Sequence, residues 1–545
     1  MKITYGDKTI QREEAIKVSE LLKEEIEKSE YKVVACRVNN QVRDLDYILT
    51  KDCVISLIDI TTRPGIRIYS RGVMFVMCMA FSEVYPDALL TVNYQLSNAM
   101  FCEIDNMQVT EEMMEKVKEK MLEIIHKELP ITYKELTREE AEEFYKKERT
   151  LKGIVQLEEK QVENISLYFC EDYYNYLYGK MPTNTKDLDV FDLMKYRDGF
   201  LVRYPSRENP KELHPYKDSK RLIATLDEYE DIYKLVNINT LYKLNQKIRK
   251  GDTGECIMLG ESLHEKKIAG IADKIAKNKQ VKMVLIAGPS SSGKTTFAKR
   301  LGMQLKLNGI DPFTISVDNY FVERENTPKN NKGEYDFECL EAIDLKLFND
   351  HLTRLLKGEE LVLPTFNFAV GHKQYNTPKV KLRKDQVLVI EGIHCLNDRL
   401  TQAIPREQKY KIYISALTVL NVDYYNRIST TDTRLIRRIV RDNQFRNYTA
   451  LHTLNMWDSV NEGEEKHIYP FQEEADSMFN SSLIYELGVL RDYALPLLEK
   501  IEDTNEQYGE AERLRKLLYG FEPISTKDVP TYSILREFIG GSVFE

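Results

Sequence analysis

The stretch from 281 to 318 constrains the chain more than any other. An apolar run, VKMVLIAG, breaks into GPSSSGKT at 288–295 and continues as the helix-like TFAKRLGMQLKLNG. The pattern G-x4-G-K-[ST] between a buried strand and a helix is a phosphate-binding loop. Gly288 and Gly293 allow backbone conformations that a side chain would obstruct. The amides along Ser290, Ser291, Ser292 and Thr296 are thus expected to turn onto phosphate oxygens at a helix N-terminus. Lys294 reaches the β and γ phosphates of a nucleoside triphosphate, and the Thr295 hydroxyl is placed to ligate Mg²⁺.

Three further β-rich runs follow: PFTISV at 312–317, DQVLVIEG at 385–392 and KIYISA at 411–416. Apolar strands alternating with helices predict an α/β, doubly wound parallel sheet, whose ligands bind outside the C-terminal strand ends. Gly288, Asp318 and Glu391 all stand at such ends, so three separated pieces of sequence are expected to meet on one rim.

These pieces together resemble the P-loop kinases of the uridine kinase and phosphoribulokinase group. The resemblance rests on GPSSSGKT, on SVDNYF around Asp318, on VIEG around Glu391 and on DTRLIRRIVRDNQFR at 432–446. It implies ATP and Mg²⁺ as cofactors, Asp318 as the base that takes the proton of an attacking hydroxyl, and Glu391 opposite Thr295 at the metal. EYDFECL resembles the family's acceptor-side stretch and brings in Tyr335 and Asp336. LPTFNF resembles P-x-Y-D-F, with Phe366 in place of tyrosine. His372 stands one residue away from the family's histidine. On a helix Arg434, Arg437, Arg438 and Arg441 share one face, expected to close over the triphosphate as a lid. By resemblance Arg438 faces the acceptor, while Arg441 and Arg446 face phosphates. Uridine kinases carry R-G-R and then a glutamine to grip the pyrimidine; here Arg446-Asn447-Tyr448 and Met456 stand in those places. A uridine- or cytidine-like nucleoside kinase acting on a 5′-hydroxyl is the expected function, with another small hydroxyl compound as the alternative acceptor.

The N-terminal text is different. Residues 1–62 alternate quickly, with a helix expected over 12–28, the extended YKVVACRV, a turn at Asn39-Asn40 and DCVISLIDI. This α+β unit resembles the TGS domain of threonyl-tRNA synthetases and certain GTPases. Residues 63–205, through YSRGVMFVMCMAFSEVYPDA, AMFCEID and LTREEAEEFY, resemble the α+β editing module of threonyl-tRNA synthetase. Its catalytic groups are missing: Arg71 and Phe75 stand at the two histidine positions, and Tyr176 and Lys180 at the cysteine and histidine. The expectation is an editing fold without hydrolytic chemistry. Residues 206–280 read as a linker and helical connector, 281–490 as the kinase domain, and 491–545 as a helical extension whose Ile534, Leu535, Phe538 and Ile539 dock on the body.

A net charge of −9 argues against a general nucleic-acid coat. tRNA or RNA binding, if present, is expected to be local to residues 1–205, as in a nucleotide-gated switch. A GTP-specific switch is disfavoured, since N-K-x-D is absent and the nearest run is Asn331-Lys332-Gly333-Glu334. The eight cysteines show no metal-site spacing. With no signal-like N-terminus and no apolar run of about 18 residues, a cytoplasmic chain without a membrane span is expected. A homo-oligomer is compatible with this reading.

Overall fold

A computed structural model of the chain describes residues 1–147, 164–329, 333, 335–368 and 370–544. Part of the expected editing-like module, 148–163, and three residues of the 331–334 run lie outside the described residues.

The first unit is one mixed sheet. Strands β1 (Lys2–Tyr5), β2 (Lys8–Gln11), β3 (Val33–Val38), β4 (Gln41–Arg43) and β5 (Cys53–Asp59) run in the order β2-β1-β5-β3-β4. Asn39 and Asn40, at φ 47° and 65°, make the two-residue turn between β3 and β4, a conformation asparagine tolerates. The helix expected over 12–28 is shorter. Ile16–Lys17 pairs instead with Ile48–Leu49, and helix is confined to Val18–Leu21 and Lys23–Glu27. The loop before Ile48 wins because Tyr47 and Leu45 carbonyls take the Val18 and Ser19 amides at 3.1 and 2.8 Å.

The second unit packs helix α1 (Arg63–Val84) and helix α2 (Glu111–His126) against the sheet β11-β12-β7-β6. Its strands are β6 (Leu90–Gln95), β7 (Ala99–Ile104), β11 (Asp192–Tyr196) and β12 (Gly199–Arg203). A smaller sheet joins β8 (Thr132–Thr137), β9 (Asn164–Cys170) and β10 (Tyr173–Asn175). Thr110 caps α2 by accepting the Met113 amide at 3.1 Å, with Glu111 and Glu112 in the first turn complementing the helix dipole. Helix α1 is apolar on most sides because elements pack on most sides of it; no helix of the described residues is long and apolar enough to cross a membrane. At the expected editing positions, Arg71 donates to the Lys180 carbonyl, and Phe75 is fully buried with its ring edge-on to Tyr173.

The third unit is built on five parallel strands. They are β13 (Met283–Ala287), β14 (Asp311–Ser316), β15 (Gln386–Glu391), β16 (Lys409–Ser415) and β17 (Ser477–Asn480), in the order β14-β15-β13-β16-β17. Every pairing is parallel. The central strand β13 is buried on both faces, which its unbroken apolar run MVLIA requires. Helices α3 (Lys220–Leu235), α4 (Thr253–Lys277) and α5 (Lys294–Leu307) lie on one side of the sheet. The 206–280 stretch is therefore part of the body: Ile223, Tyr229, Ile268 and Ile271 share one core with Val284, Ile286 and Phe297. Tyr94, Leu96, Phe101 and Leu201 of the second unit belong to that same core.

Helices α6 (Thr430–Arg446), α7 (Ala450–His467), α8 (Glu486–Leu498), α9 (Tyr508–Tyr519) and the short α10 (Arg536–Ile539) complete the chain. A charge chain ties α6 to the N-terminal half. Arg67 on α1 donates to Glu510 at 3.1 Å, and Arg513 donates to Glu510 at 2.6 Å and to Asp432 on α6 at 2.7 Å. Burial pushes the Glu510 carboxyl up, but Arg513 and Arg67 outweigh it and hold it below the usual range. All eight cysteines are buried and none is in a disulfide.

Candidate active site

The loop after β13 is shaped by close contacts. A Cβ on Gly288 would sit 1.9 Å from the Ile414 carbonyl oxygen, so only glycine fits there. Ser291 at φ 59° and Gly293 at φ 84° turn the chain into α5. The Ser291 and Ser292 hydroxyls are buried without a hydrogen-bond partner, which fits a cradle awaiting an acceptor-rich ligand. Lys294 folds back onto the Gly288 and Pro289 carbonyls at 2.9 and 3.2 Å, so its ammonium lies over the loop. Thr295 is exposed on the same rim.

Strand order brings the acids in. β15 lies beside β13 and β14 beside β15, so Glu391, the last residue of β15, and Asp318, just beyond β14, stand at the same end of the sheet as the loop. Asp318 reaches solvent through the cleft although protein surrounds it closely. Burial raises its pKa against the pull of Lys294 and Arg446. Glu391 is also raised, by burial first and then by Asp318. Two carboxylates raised by burial, one of them further by the other, with an exposed threonine hydroxyl on the same rim, suit a divalent cation, which would relieve both charges. Because a raised Asp318 must lose its proton before it can accept one, turnover should rise with pH through that pKa. A kcat/KM profile is expected to show an acid limb above the ordinary 3.8 of a free aspartate; a limb at or below that value would remove Asp318 from the role.

The arginine helix departs from the expected lid. Arg434 and Arg437 are fully buried and point under the loop rather than over it. Arg434 makes a two-pronged pair with Glu464 of α7 at 2.6 and 2.8 Å and donates to the Ser290 carbonyl at 3.2 Å. Glu464 in turn accepts the Ser290 amide at 2.8 Å. Arg437 pairs with Glu486 at 2.5 Å and donates to the Ser291 carbonyl at 3.3 Å. The expected four-arginine face thus divides into two that brace the loop and two nearer the cleft. Arg438 donates to the Ser290 hydroxyl at 2.6 Å, and Arg441 lies against Asp442 at 2.7 Å. Buried Asp442 also stands 3.3 Å from Arg438 and 3.6 Å from Arg446, gathering all three cationic side chains.

Where the acceptor side is expected the surroundings are aromatic. Phe321 packs against Phe337, Phe366 and Phe368 with ring centroids 6.1, 5.6 and 5.8 Å away. Tyr335 is exposed beside Phe337, and Asp336 accepts the Glu338 amide at 3.1 Å. His372 pairs with Glu323 at 2.7 Å on an exposed hairpin. Glu338 joins the charged site: burial and then Glu464 push its carboxyl to about 7, while Arg438 and Lys294 pull it down. Glu338, Asp442, Glu464 and Glu486 were not legible as site residues, since no local pattern marks the partner of a distant arginine.

Residues 283–484 match the phosphoribulokinase / uridine kinase family. They form a P-loop kinase domain. The uridine kinase of Clostridium perfringens is 27% identical over 176 residues, which are 32% of this chain and 74% of that protein. The uridine kinase of Saccharomyces cerevisiae is 28% identical over 201 residues, 36% of this chain and 36% of that protein. A solved structure described as a possible uridine kinase from Bacillus stearothermophilus is 18% identical, covers 39% of this chain and 99% of its own, and superposes with a TM-score of 0.25. The kinase domain makes the chain a P-loop phosphotransferase.

Proposed function

We propose that the kinase domain transfers the γ-phosphate of ATP to the 5′-hydroxyl of a nucleoside. The observation that carries this reading is the convergence of the phosphate loop, Asp318 and Glu391 on one rim of the parallel sheet. Bound Mg²⁺, held by Thr295 and Glu391, would neutralise charge on the phosphates. The chain's own groups do the rest. The amides of the 288–296 loop orient the triphosphate, and Lys294 swings from the Gly288 carbonyl onto its oxygens. Asp318, ionised despite its raised pKa, accepts the proton of the attacking hydroxyl. Arg438 and Arg441, held beside the loop by Asp442, stabilise negative charge spread over the transferring group.

The acceptor is read as a nucleoside because exposed rings surround this end of the cleft. Phe337 and Phe368 are 38% and 57% exposed, free to stack on a base, which a polyol would not need. Met456 is 45% exposed and offers no hydrogen bond for a pyrimidine edge, so base choice differs from that of the uridine kinases. Similarity to two named uridine kinases supports the reaction class. The test is a panel of nucleosides with ATP and Mg²⁺, scored for nucleoside monophosphate, with each 5′-deoxynucleoside as control. Phosphorylation of any nucleoside but not of its 5′-deoxy form is the expected result. A panel with no monophosphate, alongside turnover of a sugar phosphate or polyol, would replace the nucleoside with that acceptor.

Residues 1–62 and 63–205 are read as TGS-like and editing-like modules without hydrolytic chemistry. Arg71 at a histidine position and Tyr176 at the cysteine position support the loss of that activity, because neither can replace a histidine or thiol at neutral pH. Salt-sensitive, saturable tRNA binding by the full chain would add an RNA partner.

A further inference from the structure

Residues 533–544 lie against the phosphate loop and the helix that follows it. The sequence PTYSILREFIGGSVFE buries Ser533, Ile534, Leu535 and Phe538 completely. Ile534 rests on Gly293: a Cβ there would lie 2.4 Å from the Ile534 Cγ2 atom. Phe538 stacks under the Arg437 guanidinium at 5.0 Å, the same group that donates to the Ser291 carbonyl. Lys299 of α5 donates to the Phe544 carbonyl at 2.6 Å. Between these anchors the Thr296 amide donates to Glu537 Oε2 at 3.0 Å.

Thr296 is the third residue of α5, so its amide has no partner within the helix and must find an acceptor elsewhere. A phosphate oxygen and a carboxylate are the same kind of acceptor, and one N–H cannot serve both well. Glu537 also adds negative charge beside Glu391, whose carboxyl it helps to raise. We propose that Glu537 is an internal plug: its carboxylate occupies the phosphate position on the Thr296 amide and must leave before a triphosphate is seated. The proposal rests on the reading of the loop as an ATP site. Arg536 secures the tail backbone by donating to the Thr526 and Val529 carbonyls at 2.8 and 2.6 Å. The apolar anchors therefore stay in place, and release needs only rotation of a half-buried side chain towards solvent.

The test compares the full chain with Glu537→Ala and Glu537→Gln, titrated with ATP, tripolyphosphate and adenosine in the presence of Mg²⁺. Relief of a plug closed about nine-tenths of the time tightens binding about tenfold. That gain is expected for ATP and tripolyphosphate in Glu537→Ala, with a smaller gain in Glu537→Gln and no change for adenosine. The glutamine variant keeps the side-chain shape and carries the comparison should the alanine variant fold poorly. Equal ATP affinity in all three chains, or weaker affinity in the variants, overturns the plug while leaving the ATP site standing. No ATP binding by any of them overturns the ATP reading and the plug together.

Discussion

Asp318→Asn is expected to lower phosphoryl transfer by about 10²–10⁴-fold, the usual contribution of a positioned general base. Folding and ATP affinity should be little changed. Asparagine has the same size, and Asp318 faces solvent in the cleft, so no buried partner is stranded. The substitution should also lower the Glu391 pKa, because Asp318 is the second contributor to its rise. Single-turnover formation of phosphorylated product, set against ATP affinity by titration, separates the two effects. A variant that keeps near-native turnover would shift the proton-accepting role to Glu338, the other carboxyl in the charged site.

The second large effect is structural. Arg434→Met should destabilise the protein by about 3–5 kcal/mol, because it leaves Glu464 buried and unpaired. Glu464 is 1% exposed and its remaining partners are the Ser290 amide at 2.8 Å and the Tyr469 hydroxyl at 3.0 Å. Neither can neutralise a carboxylate, so the loop it supports should loosen and ATP binding weaken. Urea unfolding measures the loss. Replacing both partners, as Arg434→Met with Glu464→Met, should recover much of it, since a matched apolar pair avoids the stranded charge. A single variant as stable as the native chain would mean that the pair contributes little to holding the loop.

The contrast between these residues shows what a sequence can disclose. The loop at 288–295, Asp318 and Glu391 are legible because each is local: a strand ends, and the next one or two residues carry the chemistry. Arg434 and Arg437 are not. Helical spacing places them on one face with Arg438 and Arg441, but it does not say whether that face looks outward. Their counter-charges Glu464 and Glu486 come 30 and 49 residues later. Only the packing of α7 and α8 against α6 brings the pairs together and turns part of a supposed lid into a foundation. The expected helix over 12–28 is shorter for a similar reason, because carbonyls of Tyr47 and Leu45 claim the Val18 and Ser19 amides that would have joined it to the preceding turn. Glu537 escaped notice because its apolar neighbours announced docking without saying where.

The shared core described for the second and third units bears on how the chain melts. Tyr94, Phe101 and Leu201 are packed with Ile223, Val284 and Ile286, and the Val92 amide donates to the Tyr424 carbonyl at 2.8 Å across the junction. Separating the chain at 205 would lay that apolar surface open to water and leave Asp432 and Glu510 with Arg513 but without Arg67. The second and third units are therefore expected to lose their order together, as a single transition in thermal unfolding. Their division of labour is a matter of chemistry, while their stability is held in common.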